Sequence, residues 1–405
     1  MRIAVLGADG YLGWPTALHL SARGHDVVAV DSLVRRRWDE ECGTDSLVPI
    51  ASMPERVARW QAESGHRIEW HEFDLCDAGA VERLFRSAQP EAVVHFAEQR
   101  SAPYSMISPR HGVETQVNNI AGTLNVLYAV RDLAPDCHVI KLGTMGEYGT
   151  PDIDIEEGFI EIEHNGRRDR MIYPKSPGSV YHLSKVHDSH NLDFACRIWE
   201  LRATDLNQGV VYGSTTDETS LHPQLVTRFD YDGIWGTVLN RYCVEAAIGE
   251  PLTVYGKGGQ TRGFLDIRDT VRCVELAALN PPARGEYRVF NQFTEQFSVL
   301  ELAQKVEHAR AAHGLPTTIH HVPNPRREKE VHYYNAKHQR LLDLGLQPHW
   351  LSDTLIDHVV QTVETNVSRV RRETIEATVD WRKGGSVYAR GKPPASLTAL
   401  TGIGG

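Results

Sequence analysis

Tyr181-His182-Leu183-Ser184-Lys185 sets a phenol and an ammonium four residues apart, which is one face of a helix. A free tyrosine, with a pKa of about 10, is a poor base at neutral pH. A neighbouring ammonium stabilises the phenolate and is expected to lower that value. Tyr181 would then take the proton of a hydroxyl while the carbon that carries it loses a hydride to an acceptor. Thr144, after Gly143 at the end of an apolar strand, is spaced to hydrogen-bond the same hydroxyl. A Tyr-x-x-x-Lys pattern by itself is common on exposed helix faces, so the chemistry needs an acceptor site elsewhere in the chain.

Gly7-Ala8-Asp9-Gly10-Tyr11-Leu12-Gly13 supplies one. Its G-x-x-G-x-x-G spacing follows a strand and opens a helix, where glycines let the backbone approach a pyrophosphate at the helix N-terminus. Gly7, Asp9, Gly10, Tyr11, Leu12 and Gly13 are therefore expected to hold a dinucleotide, with Tyr181 and Lys185 at its reactive end. Asp31 ends the second strand, where a carboxylate bonds the adenosine ribose hydroxyls. A carboxylate there repels a 2′-phosphate, so NAD is expected over NADP. Arg35 and Arg36, within Arg35-Arg36-Arg37, fit either a phosphate contact or a solvated basic loop. Asp74-Leu75 is placed to contact adenine.

The elements that must carry these residues alternate. Short apolar strands at Ile3–Leu6, Asp26–Val30, Ala92–Phe96 and His138–Leu142 interleave with helices at about Thr16–Arg23 and Asn118–Asp132. That is the pattern of an α/β fold with a doubly wound parallel sheet. A Rossmann domain is expected over 1–212. A smaller substrate-binding domain is expected over 213–380, some of it returning to the sheet, followed by a loosely docked tail at 381–405. Asn165-Gly166 between two β-like runs predicts a hairpin near 159–172, readable as a lid or as surface decoration. A formal charge of −10 argues against nucleic acid as the main partner. Six scattered cysteines without a C-x-x-C pair give little support for disulfides or zinc. His187 and His190 lack an evident third ligand, so no metal is expected. With no signal peptide visible and no apolar run of membrane-spanning length, a cytoplasmic protein is expected.

Longer runs sharpen the reading. They include residues 96–106 (FAEQRSAPYSM), 143–149 (GTMGEYG), 181–191 (YHLSKVHDSHN), 205–213 (DLNQGVVYG) and 258–263 (GGQTRG). On these the chain resembles the extended short-chain dehydrogenase/reductase family of sugar-nucleotide epimerases and dehydratases, and within it the UDP-sulfoquinovose synthases, over nearly its whole length. The resemblance implies bound NAD, UDP-glucose and sulfite as substrates, and a homodimer packed through helices near Asn118 and Tyr181. It implies oxidation at the glucose C4, loss of water across C5 and C6, and sulfite addition to the resulting 4-keto-5,6-ene. Related 4,6-dehydratases carry Asp-Glu directly after the threonine, whereas Met145 and Gly146 stand here. The elimination acid and base are thus open, with His182 and Glu147 as candidates. Arg100 is expected to face sulfite or else to hold a structural carboxylate, with Gln99 orienting sugar or sulfite. Asn207, Gln208, Arg262 and Arg326 resemble substrate contacts, three of them to the diphosphate. Two other readings keep the same residues: a UDP-glucose 4-epimerase, and a non-catalytic NAD-sensing protein.

Overall fold

The computed structural model describes residues 1–385. Seven strands form one parallel sheet: β1 (Arg2–Leu6), β2 (Asp26–Asp31), β3 (Ile68–Glu72), β4 (Ala92–His95), β5 (His138–Thr144), β6 (Arg202–Gln208) and β7 (Tyr287–Gln292). Their order is β7-β6-β5-β4-β1-β2-β3. The strands are apolar along their length because both faces are covered. Ile3 and Val5 pack with Trp14, Val27 and Ala29 on one face, while Ala4 and Leu6 pack with Val28, Val30 and Val93 on the other. The order reverses around β1, and a crevice opens there at the C-terminal strand ends.

The chain leaves this sheet and returns to it. Residues 261–266 pair with 295–298 and 210–212, yet β7 closes the edge of the main sheet beside β6. Cys273, Val274, Leu276 and Ala277, on the helix Ile267–Leu279, join the same core as Trp14. A separate core gathers Leu239, Tyr242 and Val244 with Leu302, Val306, Ile356 and Val360, from three helices.

The hairpin forms at Phe159–His164 and Arg167–Ile172, with Asn165 and Gly166 at φ 49° and 71°, the two positive values a tight primed turn requires. It is not a lid in this arrangement. Phe159 packs on Tyr287 of β7 with centroids 6.0 Å apart, and no hairpin residue reaches the cavity wall. The expected tail begins docked: Gly385 N donates to Ile107 O and Trp381 N to Pro325 O. The remainder of 381–405 lies outside the described residues. Among the described residues no helix is long and apolar enough to cross a membrane.

Candidate active site

A cavity of about 850 Å³ follows the crevice from Gly7 and Asp31, past Thr144 and Tyr181, to Arg262 and Arg326. At its first end the chain turns at Gly7 (φ +88°), whose N–H donates to Val30 O at 2.8 Å. A Cβ on Gly7 would stand 2.6 Å from Ala97 N, and one on Gly13 would overlap Gly7 O. Gly10, Tyr11 and Leu12 join Gly7 and Gly13 in the wall, and Tyr11 OH donates to Gly213 O at 2.6 Å. Asp31 accepts Asp9 N at 2.9 Å and Leu33 N at 2.7 Å. Burial, then the nearby Asp9 carboxylate, push its pKa up to about 6. Asp74 and Leu75 complete this end. A turn with no room for side chains and a half-buried carboxylate aimed at the wall fit the diphosphate and ribose of a dinucleotide.

Three expectations at this end are corrected. The Asp9 side chain faces away from the cavity, because it is buried between Arg36 (two bonds of 2.8 Å) and Arg56 (2.9 Å). Arg36 is thereby turned from the wall and also donates to Ala51 O. Arg35 does reach the wall, but neither as a free phosphate contact nor as solvated loop. It begins the helix Val34–Cys42, pairs with Asp39 and Asp230, and lies 3.8 Å over the Trp235 ring.

At the centre, Ser179 caps the helix Val180–Trp199, which brings Tyr181, His182 and Lys185 to the wall beside Thr144 of β5. Lys185 Nζ donates to Leu142 O at 2.6 Å, ion-pairs with Glu98, and stands 5.8 Å from the Tyr181 ring centroid. The expected lowering of the phenol is not what burial produces. Desolvation pushes Tyr181 up to about 12, against Lys141, Arg100 and a hydrogen bond with Thr144. Asn119, in the wide turn Val117–Ala121, bonds Gln99 O and Ser184 Oγ and so ties the catalytic helix to the loop after β4. His182 rests on Ser179 Oγ through Nδ1 at 3.0 Å. Burial, then Arg262 and Arg326, hold it down to about 3, so the ring is neutral at physiological pH.

Glu147, Gln99 and Asn207 do not reach the cavity. Glu147 is fully buried, paired with Lys175 and accepting Ser189 Oγ at 2.8 Å. Gln99 donates to Ser101 O in its own loop and to Thr115 Oγ1 on the helix Pro109–Gln116. Asn207 donates to Tyr148 OH at 2.9 Å, on the face of β6 opposite Gln208, which does reach the wall. Arg100 reaches the wall, tethered to Asp230 and donating to Trp235 O at 3.1 Å. At the far end Arg262 pairs with Glu328 and approaches His332 Nδ1 at 2.5 Å. Arg326 lies 5.4 Å over the Trp381 ring, and among the described residues its guanidinium makes no hydrogen bond or ion pair. Residues outside the sequence-based set also matter here: Glu98, Lys141, Asp230 and Trp381. The one local signal for Lys141 is a charge inside the apolar run of β5.

A model of the NAD dependent epimerase/dehydratase family matches residues 3–291. The chain belongs to this family. Within it, the chain is 59% identical over 384 residues to the chloroplastic UDP-sulfoquinovose synthase of Spinacia oleracea, covering 95% of this chain and 80% of that one. It is 49% identical over 349 residues to the UDP-sulfoquinovose synthase of Sulfolobus acidocaldarius, covering 86% and 88%. Among solved structures, a UDP-glucose-4-epimerase from Stenotrophomonas maltophila with bound NAD and formylated UDP-arabinopyranose shares the fold, with TM-score 0.69, 20% identity and coverage of 91% and 99%. The departure from the dehydratase pattern now has a physical reason. A Cβ at Gly146 would overlap the His182 ring. The position of the second dehydratase acid is therefore filled by an imidazole from the neighbouring helix.

Proposed function

We propose that this chain converts UDP-glucose and sulfite to UDP-sulfoquinovose, the head-group donor of sulfolipid, with tightly held NAD. The observation that carries the reading is 59% identity along 95% of the chain to an enzyme of that name, together with Thr144, Tyr181 and Lys185 meeting in one cavity. NAD, when bound, supplies the acceptor for the C4 hydride and returns that hydride at the end. Tyr181 takes the C4 hydroxyl proton, assisted by Thr144, and gives it back when the ketone is reduced. His182, being neutral, takes the C5 proton and passes it to the C6 hydroxyl, which leaves as water. The sulfur lone pair of sulfite then forms the C–S bond at C6, and C5 regains a proton. UDP-glucose and bisulfite thus give UDP-sulfoquinovose and water, with no net redox change.

Arg100 is the sulfite cation in this reading. Arg100 stands in a wall that Arg35 and Arg228 also line, and the three guanidinium groups share the carboxylates Asp39 and Asp230. Arg326, whose guanidinium makes no hydrogen bond or ion pair among the described residues, takes the diphosphate, with Arg262 beside it. The chain acts as a homodimer, through helices 109–133 and 180–199, where Val113, Val117, Tyr128, Leu183, Phe194 and Ile198 are exposed. It works in the cytoplasm, in keeping with six unpaired cysteines. Incubation of the NAD-loaded protein with UDP-glucose, with and without sulfite, tests the function by mass spectrometry. UDP-sulfoquinovose formed only with sulfite is the expected result, and UDP-galactose formed without sulfite assigns the chain to epimerisation instead.

A further inference from the structure

Beneath Tyr181 lie two buried ammoniums where the Tyr-x-x-x-Lys pattern accounts for one. Lys141 of β5 and Lys185 of the catalytic helix both approach the Leu142 carbonyl, at 3.5 and 2.6 Å. They also share one carboxylate: Lys141 Nζ stands 3.6 Å from Glu98 Oε1, while Lys185 pairs with Glu98 Oε2. Lys141 is held from the other side by Asp188, 3.8 Å away on the catalytic helix. All four side chains are at most 3% exposed, so their charges act through little water.

Charge balance gives Lys141 a task. Were Lys185 the sole cation, Glu98 and Asp188 would already outnumber it, and ionising Tyr181 would add a third negative charge to the same buried volume. Lys141 reduces that excess of negative charge, to which Asp205 of β6 also adds. We propose that Lys141 is a positioning residue for proton transfer at Tyr181: it shares Glu98 with Lys185, compensates Asp188, and leaves the Lys185 ammonium free to stabilise the phenolate. The groups facing Lys141 from the packed elements are His95 and Glu98, Glu147, Tyr181, Lys185 and Asp188, and Asp205 of β6. Burial alone would lower the Lys141 ammonium, but these carboxylates, Asp188 first, hold it raised. Lys141 is also the foremost charge opposing the burial of the Tyr181 phenol. His95 stays neutral, lowered by burial and by both lysines.

The inference deepens the proposed reaction, and its test separates the two. NADH absorbance after adding UDP-glucose without sulfite gives the pH dependence of the first hydride transfer in NAD-loaded protein. In Lys141→Met the alkaline-going limb should move up by about 1 to 3 pH units, the effect of one removed opposite charge, and Lys141→Arg should restore most of it. Lys141→Met leaves Asp188 unpaired and endangers folding, so Lys141→Met/Asp188→Asn is made alongside. A wild-type limb in Lys141→Met overturns the proposal, and so does a limb in the double variant, which removes one charge of each sign, displaced as far as in Lys141→Met. The phenol is also read without substrate, by NMR titration of ring-labelled tyrosine assigned with Tyr181→Phe. A Tyr181 signal that titrates identically with and without Lys141 overturns the proposal even where UDP-glucose proves not to be the substrate, whereas absence of NADH in wild type counts against the proposed reaction alone.

Discussion

The two ends of the cavity are built by different means. At the end beside Gly7 and Asp31 the wall is built of backbone: Gly7, Gly10 and Gly13 clear space, and main-chain N–H groups define the turn. At the other end guanidinium groups line the wall, and most of those are already engaged. Arg35 and Arg100 hold Asp230 and Arg262 holds Glu328, whereas Arg326 is without such a partner among the described residues. A backbone site is written in local spacing. A charge site depends on which carboxylate the fold delivers to each arginine, and spacing does not say.

The largest expected effect that sharpens this contrast is at Gly13. Gly13→Ala forces a methyl against Gly7 O, so the turn must shift, at about 3 kcal/mol. Loss of NAD from the purified protein and a lower Tm are the measurements. Next is Arg326→Ala, which should weaken UDP binding by calorimetry by about 2 kcal/mol, the value of charge-assisted bonds, with Tm unchanged. Arg262→Ala should instead lower both, since half-buried Glu328 loses its guanidinium partner and keeps only Asn324 and His332 beside it. A Tm loss in Arg326→Ala equal to that of Arg262→Ala would erase the distinction between engaged and free arginines.

Asp31 gives a smaller, pH-dependent effect. Its pKa of about 6 in the folded chain exceeds that of a free carboxyl, so the protonated form favours folding and that contribution is lost as pH rises through about 6. Asp31→Asn should be near neutral in acid and stabilise the NAD-free protein by about 1–2 kcal/mol above pH 6, discounted for partial exposure, while weakening NAD. Chemical denaturation at pH 4 and 7.5 reads both limits. Smallest is Arg36→Ala. Asp9 keeps Arg56, so about 1 kcal/mol or less is lost, and the preference for NAD over NADP should not move.

What was legible follows the same division. Glycine spacing, the i, i+4 pair and the Asn-Gly turn are local and appear where the sequence puts them. Asp9 sits within the turn yet points behind it, because a buried Arg56 forty-seven residues later claims it. Glu147 is one position past Gly146, and the short helical turn Met145–Glu147 carries it into Lys175. Asn207 and Gln208 differ by strand parity, which the period of two does encode, but the cavity-facing parity is fixed only once β6 has neighbours. Glu98 and Lys141 become partners through the pairing of β4 with β5, and Lys185 joins them only when the helix Val180–Trp199 packs on that sheet.

The account rests on Tyr181 moving a proton at a sugar hydroxyl inside this cavity. Tyr181→Phe, loaded with NAD and given UDP-glucose and sulfite, tests that claim most directly, with product quantified by mass spectrometry and UDP-glucose binding by calorimetry. A loss of about 10³-fold in product formation with binding intact is the predicted result. Product formation at the wild-type rate would contradict it.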